Sequence, residues 1–409
     1  MDSPSEATTG ERWRPPVSGP GGRGRHRRTR KRAQPPATES RWPRRRNSAA
    51  LIGGAGAAAA LIVLVLLTVV PDRPTGRSST GAGQRSASST AIDTAPAGQT
   101  ISPVAASSDV PTVGATIPIG PTPGYVAVAP NGRYAYTANR ENNSLSVIDT
   151  ATGQVTATIP ISAGPPQFVA FTPDGRRAYL SIYNNDRTVN LVGVLDTASN
   201  TVVETISVGT RPFALAVRPD GEYVYIPEHD TGTISVIDTA TNKLVLTIHV
   251  PPNPHSIAFS KDSTRAYIAN HESNVISVLN ATDNTMITTV PVGTSPHSVT
   301  VSPDQSQVAN VNYDSNTVTL IDTATNTVTA TIPVGGHPQG IAYAPDGEHI
   351  YVANNDGGVI SVINVDTAQV TATVPSGNTP TSVAVVPDGR YAYVTNLGSG
   401  DVTVIEAAK

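Results

Sequence analysis

Gln339-Gly340-Ile341-Ala342-Tyr343-Ala344-Pro345-Asp346-Gly347-Glu348-His349-Ile350-Tyr351-Val352-Ala353-Asn354 reads as two short strands around a tight turn. Pro-Asp-Gly supplies the turn, because glycine accepts the positive φ that a hairpin demands. Downstream, Ile360–Asn364 and Gln369–Val374 are β-branched runs bounded by Asn, Asp and Gly, and they give a third and a fourth strand. No helical period interrupts them. The unit closes on a block that begins at Val374, and variants of Ile-Pro-Val-Gly begin likewise at Ile117, Ile159, Ile206, Ile248, Val290 and Ile332. The steps between these blocks are 42, 47, 42, 42, 42 and 42 residues. A period of that length belongs to solenoids and propellers. Four antiparallel strands per period make a propeller blade.

The ends of the repeat array decide between the two. The last unit stops after Asp401–Ile405 and lacks a fourth strand, whereas Thr112–Ile117 carries the fourth-strand pattern of Thr327–Ile332 with no blade of its own. The N-terminal strand is therefore expected to complete the C-terminal blade and leave no open edge there. The fold class is all-β, a seven-bladed propeller of four-stranded antiparallel blades. Unit 2 departs from the pattern, with five extra residues and Ile182 where five of the units carry Asn.

Tyr393-Val394-Thr395-Asn396 resembles the signature tetrapeptide of the YVTN-repeat β-propellers, and Tyr351–Asn354, Tyr267–Asn270 and Tyr136–Asn139 are close variants. The resemblance covers residues 110–409 and implies the same closed ring. Similar propellers occur in surface-layer-like proteins, lactonase relatives, redox enzymes and one nucleic-acid-binding branch. No catalytic motif of any branch carries across residue by residue.

Upstream of the repeats the charge is sharply divided. Residues 1–48 hold 13 Lys/Arg and 4 Asp/Glu, while Ala49–Val70 holds no charge at all. At about 1.5 Å per residue that apolar stretch is long enough to span a bilayer as a helix. The basic flank then places residues 1–48 in the cytoplasm as a disordered tail, and the propeller outside a plasma membrane crossed once. Residues 71–109, rich in Ser, Thr, Gly and Pro, read as a stalk. Residues 110–409 hold 12 Lys/Arg and 24 Asp/Glu, an acidic excess that disfavours nucleic acid. The chain has no cysteine, which excludes disulfides and thiol chemistry.

Propeller geometry puts the start of each first strand and the end of each second strand on one face. The first set comprises Gly124, Gln167, Phe213, His255, His297, Gln339 and Thr381. The second comprises Arg140-Glu141, Tyr183-Asn184, His229-Asp230, His271-Glu272, Tyr313-Asp314, Asn355-Asp356 and Leu397-Gly398. Residues that serve only the fold converge on one type, as the Asn at 139, 270, 312, 354 and 396 does. The rim sets do not converge, and variable polar residues on one rim mark a binding face. The candidate ligand-binding residues are Gln167, Phe213, Glu228, His229, Asp230, His255, His271, Glu272, His297, Tyr313, Asp314, His337 and Gln339. His255, His297 and His271 are the candidate metal ligands, since imidazoles from adjacent blades could converge on one ion. No cofactor is expected, with a divalent metal as the alternative. The reading is a tethered module that binds a protein or small ligand. A lactonase-like or metal-dependent hydrolase and a structural envelope protein are the rivals.

Overall fold

The structure, a computed structural model, describes residues 103–409. The expected tail, membrane span and most of the stalk lie outside the described residues. Seven four-stranded antiparallel sheets form the seven blades. In blade 6 the strands are Pro338–Tyr343, His349–Asn354, Val359–Asn364 and Gln369–Pro375, here called a to d from the channel outward. Strands b and c are covered on both faces by neighbouring blades and are buried almost throughout, whereas the Thr-rich d strands are largely exposed. The core lies between blades rather than within them. One cluster joins Tyr351, Ile360 and Val362 of blade 6 to Val383, Val394 and Ile405 of blade 7.

Two polar devices recur around the ring. The Asn that ends strand b bonds a hydroxyl seven residues on, in strand c: Asn139 Nδ2 to Ser146 Oγ at 2.8 Å, Asn312 Nδ2 to Thr319 Oγ1 at 2.9 Å, Asn354 Nδ2 to Ser361 Oγ at 2.9 Å and Asn396 Nδ2 to Thr403 Oγ1 at 2.9 Å. These asparagines fasten blades and do not face a ligand. In blade 2 the pair becomes Ile182 against Gly193, where a Cβ on the glycine would meet the Ile182 Cδ1 at 3.0 Å. An apolar contact replaces the polar one, and only glycine leaves room for it.

The second device links consecutive blades. A buried strand-b tyrosine donates to the c–d turn asparagine of the next blade: Tyr136 to Asn200 at 2.9 Å, Tyr179 to Asn242 at 3.0 Å, and Tyr225 to Asn284. Those asparagines sit at positive φ, as asparagine tolerates. Blade 5 carries Ala309 in place of the tyrosine, and blade 6 carries Ala368, at φ 51, in place of the asparagine. Donor and acceptor are lost together.

The ring closes as expected. Ser107–Pro118 pairs antiparallel with Asp401–Ala408, Ile117 opposite Val402 and Val113 opposite Ile405, in the sheet that also contains Tyr391–Asn396 and Pro380–Val385. This strand reaches further back than Thr112. Its start crosses to blade 6, where the Ser107 amide donates to Asp346 Oδ2 at 2.5 Å. The His349 ring lies between Ser107 Oγ at 2.6 Å and Asp109 Oδ1 at 2.9 Å. A carboxylate only accepts, so His349 Nε2 carries the proton and Nδ1 accepts from the serine. Both His349 and Ser107 are 1% exposed, which makes this a structural clasp.

Deleting Thr112–Ile117 is expected to lower the stability of the whole ring by several kcal/mol, read from denaturant unfolding; unchanged unfolding would refute the closure. Tyr225→Phe should cost about 1 kcal/mol by leaving Asn284 without its donor. The same change cannot be felt at blade 5, which has no tyrosine there.

Candidate ligand site at the channel mouth

Six of the seven a strands begin with a buried proline, and in blade 3 the buried Pro212 precedes the short strand Ala216–Val217; the residue after each proline lies at the channel mouth: Gly124, Gln167, Phe213, His255, His297, Gln339 and Thr381. One residue deeper, Tyr125 of blade 1 reaches across the axis, and its hydroxyl lies 2.9 Å from Ser298 Oγ of blade 5. Tyr125 also lies against the Phe168 ring, at 4.2 Å between centroids. The cavity left in the channel is about 150 Å³, lined by Tyr125, Phe168, Ser256, Ser298 and Ser382 among others. The channel is therefore floored just below its mouth.

Above that floor the rings form an unbroken arc. Phe168, Phe213 and His255 follow at 5.4 and 4.2 Å. His255 stacks on His297 at 4.2 Å and 22°, His297 on Tyr313 at 4.5 Å and 12°, and Tyr313 meets His337 at 4.6 Å. His271 lies 4.8 Å from His297, and His229 lies 6.0 Å from both His255 and His271. Tyr183 stacks on Phe213 at 5.4 Å. The sequence-derived candidates Phe213, His229, His255, His271, His297, Tyr313 and His337 are thus brought together at one place.

Burial holds His229, His255, His271 and His297 neutral. Desolvation pushes His229 and His271 below the usual histidine range and His255 well below it; it takes His297 down to about 3, with the neighbouring His271 acting the same way. His255 Nδ1 donates to the His297 carbonyl at 3.1 Å. His271 Nδ1 and His297 Nδ1 are buried and lack a partner.

The acidic candidates divide. Burial opposes ionisation of Asp230, but His229 at 3.0 Å, Arg211 at 3.3 Å and Arg187 at 2.8 Å outweigh it and hold the carboxyl below its usual range. Asp314 accepts from Ser295. Glu272 is exposed at the rim. Gln339 accepts from Asn355 Nδ2 at 2.7 Å. Glu228 is not a rim residue: 3% exposed, it takes the place of the strand-b asparagine in blade 3. It accepts from the Gly209 amide at 2.6 Å, from Thr233 Oγ1 at 2.6 Å and from Ser235, seven residues on. Its expected role at the ligand site is withdrawn on that ground.

The metal expectation for His255, His297 and His271 fares differently. The three cluster, yet among the described residues no three His, Asp or Glu side chains are arranged to hold an ion. Face-to-face stacking turns ring nitrogens to the edges rather than toward a common point, and His255 Nδ1 is engaged.

Arg140 and Arg211, absent from the candidates, also shape the mouth together with Gln167. Arg140 lies over Gly124, where a Cβ would come within 3.1 Å of its Nε. Gln167, 5% exposed, donates to the Tyr183 carbonyl at 2.9 Å and leaves its Oε1 without a partner. Arg211 covers Tyr183 and Phe213 at 5.8 and 5.5 Å. The signal in the sequence was Gly124, the one bare position among seven slots.

Comparison with known proteins agrees on the architecture. A family described as "Cytochrome D1 heme domain" matches residues 304–409. The "Seven-bladed beta-propeller protein Rv1057" of Mycobacterium tuberculosis is 29% identical over 113 residues, which cover 26% of this chain and 27% of that protein. The chain therefore matches about a quarter of that relative's length. Hydrazine synthase of Kuenenia stuttgartiensis superposes with a TM-score of 0.65 at 23% identity, over 71% of this chain and 96% of that one. At that identity the likeness is one of fold. The described chain is a seven-bladed β-propeller.

The histidines give a pH test. An unfolded histidine takes up a proton near pH 6.5, whereas the buried ones resist it, so the unfolded state binds more protons as the pH falls. Stability should be full above about pH 6.5 and decline below it by up to about 1.4 kcal/mol per pH unit for each such histidine. For His297 the window extends to about 3. Urea unfolding between pH 6.5 and 4.5 should show this slope, and His297→Gln should flatten it by about one proton.

Proposed function

We propose that the propeller is a ligand-binding module whose small-molecule site is the channel mouth on the histidine-bearing face. The observation that carries this reading is the pair of buried, unpartnered nitrogens, His271 Nδ1 and His297 Nδ1, within the arc of stacked rings. Buried polar atoms are nearly always paired. Two such atoms beside a floored mouth call for a ligand's donors or acceptors. A hydroxylated molecule with one flat or apolar face suits neutral imidazoles and ring edges.

A second reading, hydrolysis of a small ester or lactone, draws on two histidine–aspartate pairs. His337 Nδ1 lies 2.6 Å from Asp356 Oδ2, and His229 Nδ1 lies 3.0 Å from Asp230 Oδ1. Each carboxylate accepts the Nδ1 proton and leaves Nε2 free as a base toward water.

The description of the matched family raises heme. An axial imidazole must offer a free nitrogen. In the matched segment His349 is bonded at both nitrogens, whereas His337 is bonded to Asp356 through Nδ1 and keeps Nε2 free. The channel cavity is about 150 Å³, smaller than the pockets that hold drug-sized ligands. The channel therefore does not fit a heme, and no step is assigned to one. The blade repeat itself accounts for the match.

The YVTN-like tetrapeptides support kinship with the propellers that share them. The uncharged Ala49–Val70 and its basic flank support a single-pass anchor with the propeller outside the cell.

Thermal-shift screening of the full chain against sugars, lactones and divalent ions tests the binding reading. Ligands should raise the melting temperature of the natural chain and not of His271→Ala/His297→Ala; equal shifts in both would place the site elsewhere. Protease added outside intact cells should cleave residues 103–409 and spare residues 1–48; digestion of the tail would reverse the orientation.

A further inference from the structure

Among the seven slots at the mouth, only that of blade 1 lacks a side chain. A Cβ on Gly124 would lie 3.1 Å from Arg140 Nε, 3.3 Å from Arg140 Nη2 and 3.1 Å from the Gln167 carbonyl oxygen. The guanidinium occupies the space that every other slot fills with its own residue. Arg140 Nε is buried and has no hydrogen-bond partner. Among the described residues Arg140 also takes part in no ion pair, whereas Arg211, the other guanidinium of the mouth, is paired with Asp230. Arg140 as a whole is half-buried, but its Nε is withdrawn from water without a partner, and such groups are retained where a charge arrives to meet them.

Gln167 borders the same spot and is itself 5% exposed. Its amide is oriented by the bond to the Tyr183 carbonyl, and its Oε1 is left without a donor. One side of this small sector asks for a negative acceptor and the other for an N–H or O–H. Phe168, Phe213 and Tyr183 wall it and keep its dielectric low, which strengthens a charge-assisted bond formed there.

Building on the mouth as the ligand site, we infer that Arg140 binds an anionic group of that ligand, a carboxylate or phosphate ester. A neighbouring hydroxyl or N–H of the same molecule donates to Gln167 Oε1. The rest of the ligand lies toward the ring arc. The domain's net acidity does not oppose this, because Asp230 is already paired with Arg211 and Arg187, Arg140 has no ion-pair partner among the described residues, and the adjacent buried imidazoles are neutral.

Calorimetric titration of the full chain tests it with three probes: 2-hydroxybenzoate, its neutral twin 2-hydroxybenzamide, and phenyl phosphate. The anions should bind at least about tenfold more tightly than the amide, and the better of the two identifies the carboxylate or phosphate source. Arg140→Gln should weaken the anions by about thirtyfold or more and leave the amide unchanged. Gly124→Ala should displace the guanidinium and weaken the anions with the arginine still present. The ligand-free melting temperature of Arg140→Gln should equal or exceed that of the natural chain, because an unpaired charge is removed. Equal binding of benzoate and benzamide, or unchanged anion binding in Arg140→Gln, overturns the anion assignment and leaves the mouth as a site. No binding by any probe overturns both.

Discussion

The pairing of Ser107–Pro118 with Asp401–Ala408 is the constraint on which the molecule depends. Each blade buries its faces only against its neighbours, so a ring with one open joint would expose two apolar blade faces and a strand edge at once. The chain meets this by sending its first strand to its last blade. It adds the Ser107–His349–Asp109 clasp on blade 6, so the seam is held at two blades rather than one. With no cysteine in the chain, no covalent bond shares this task.

Closure also creates the mouth. Seven equivalent backbone slots converge on the axis, and the fold is indifferent to what fills most of them. Five blades can thus keep an identical Asn–hydroxyl fastener while the rim residues beside it differ. The rim sorts into sectors. Blades 3 to 5 bring four neutral histidines and Tyr313 into a packed arc, and blades 1 to 3 bring Arg140, Gln167, Tyr183 and Arg211 over an aromatic floor. A rim unlike itself from blade to blade belongs to one asymmetric ligand more readily than to a symmetric structural partner.

Much of the fold could be read directly. A 42-residue period, its turn residues and the orphan fourth strand at Thr112–Ile117 carry the blade count and the closure, because they are local patterns repeated seven times. The structural role of the Asn positions was legible for the same reason. What escaped was set by single exceptions. Glu228 stands beside His229 and looks like a site acid; only its spacing of seven residues to Ser235 reveals that it replaces an asparagine. Arg140 became a site residue through the missing side chain at Gly124, sixteen positions earlier in the same blade, a juxtaposition visible only once strands a and b of blade 1 are side by side. The stacking of His255, His297 and Tyr313, which turns a set of metal-ligand candidates into a neutral ring array, depends on side-chain orientation that spacing does not encode.

Hydrogen exchange at the amides of Asp401–Ala408 tests the central claim most directly. In a closed ring, amides that face the N-terminal strand exchange only through global unfolding, as slowly as those of Tyr391–Asn396 beside them. Exchange at the rate of a free edge, matching the outer strand Gln369–Pro375, would mean that the seam is open and that the mouth is not held by a continuous ring.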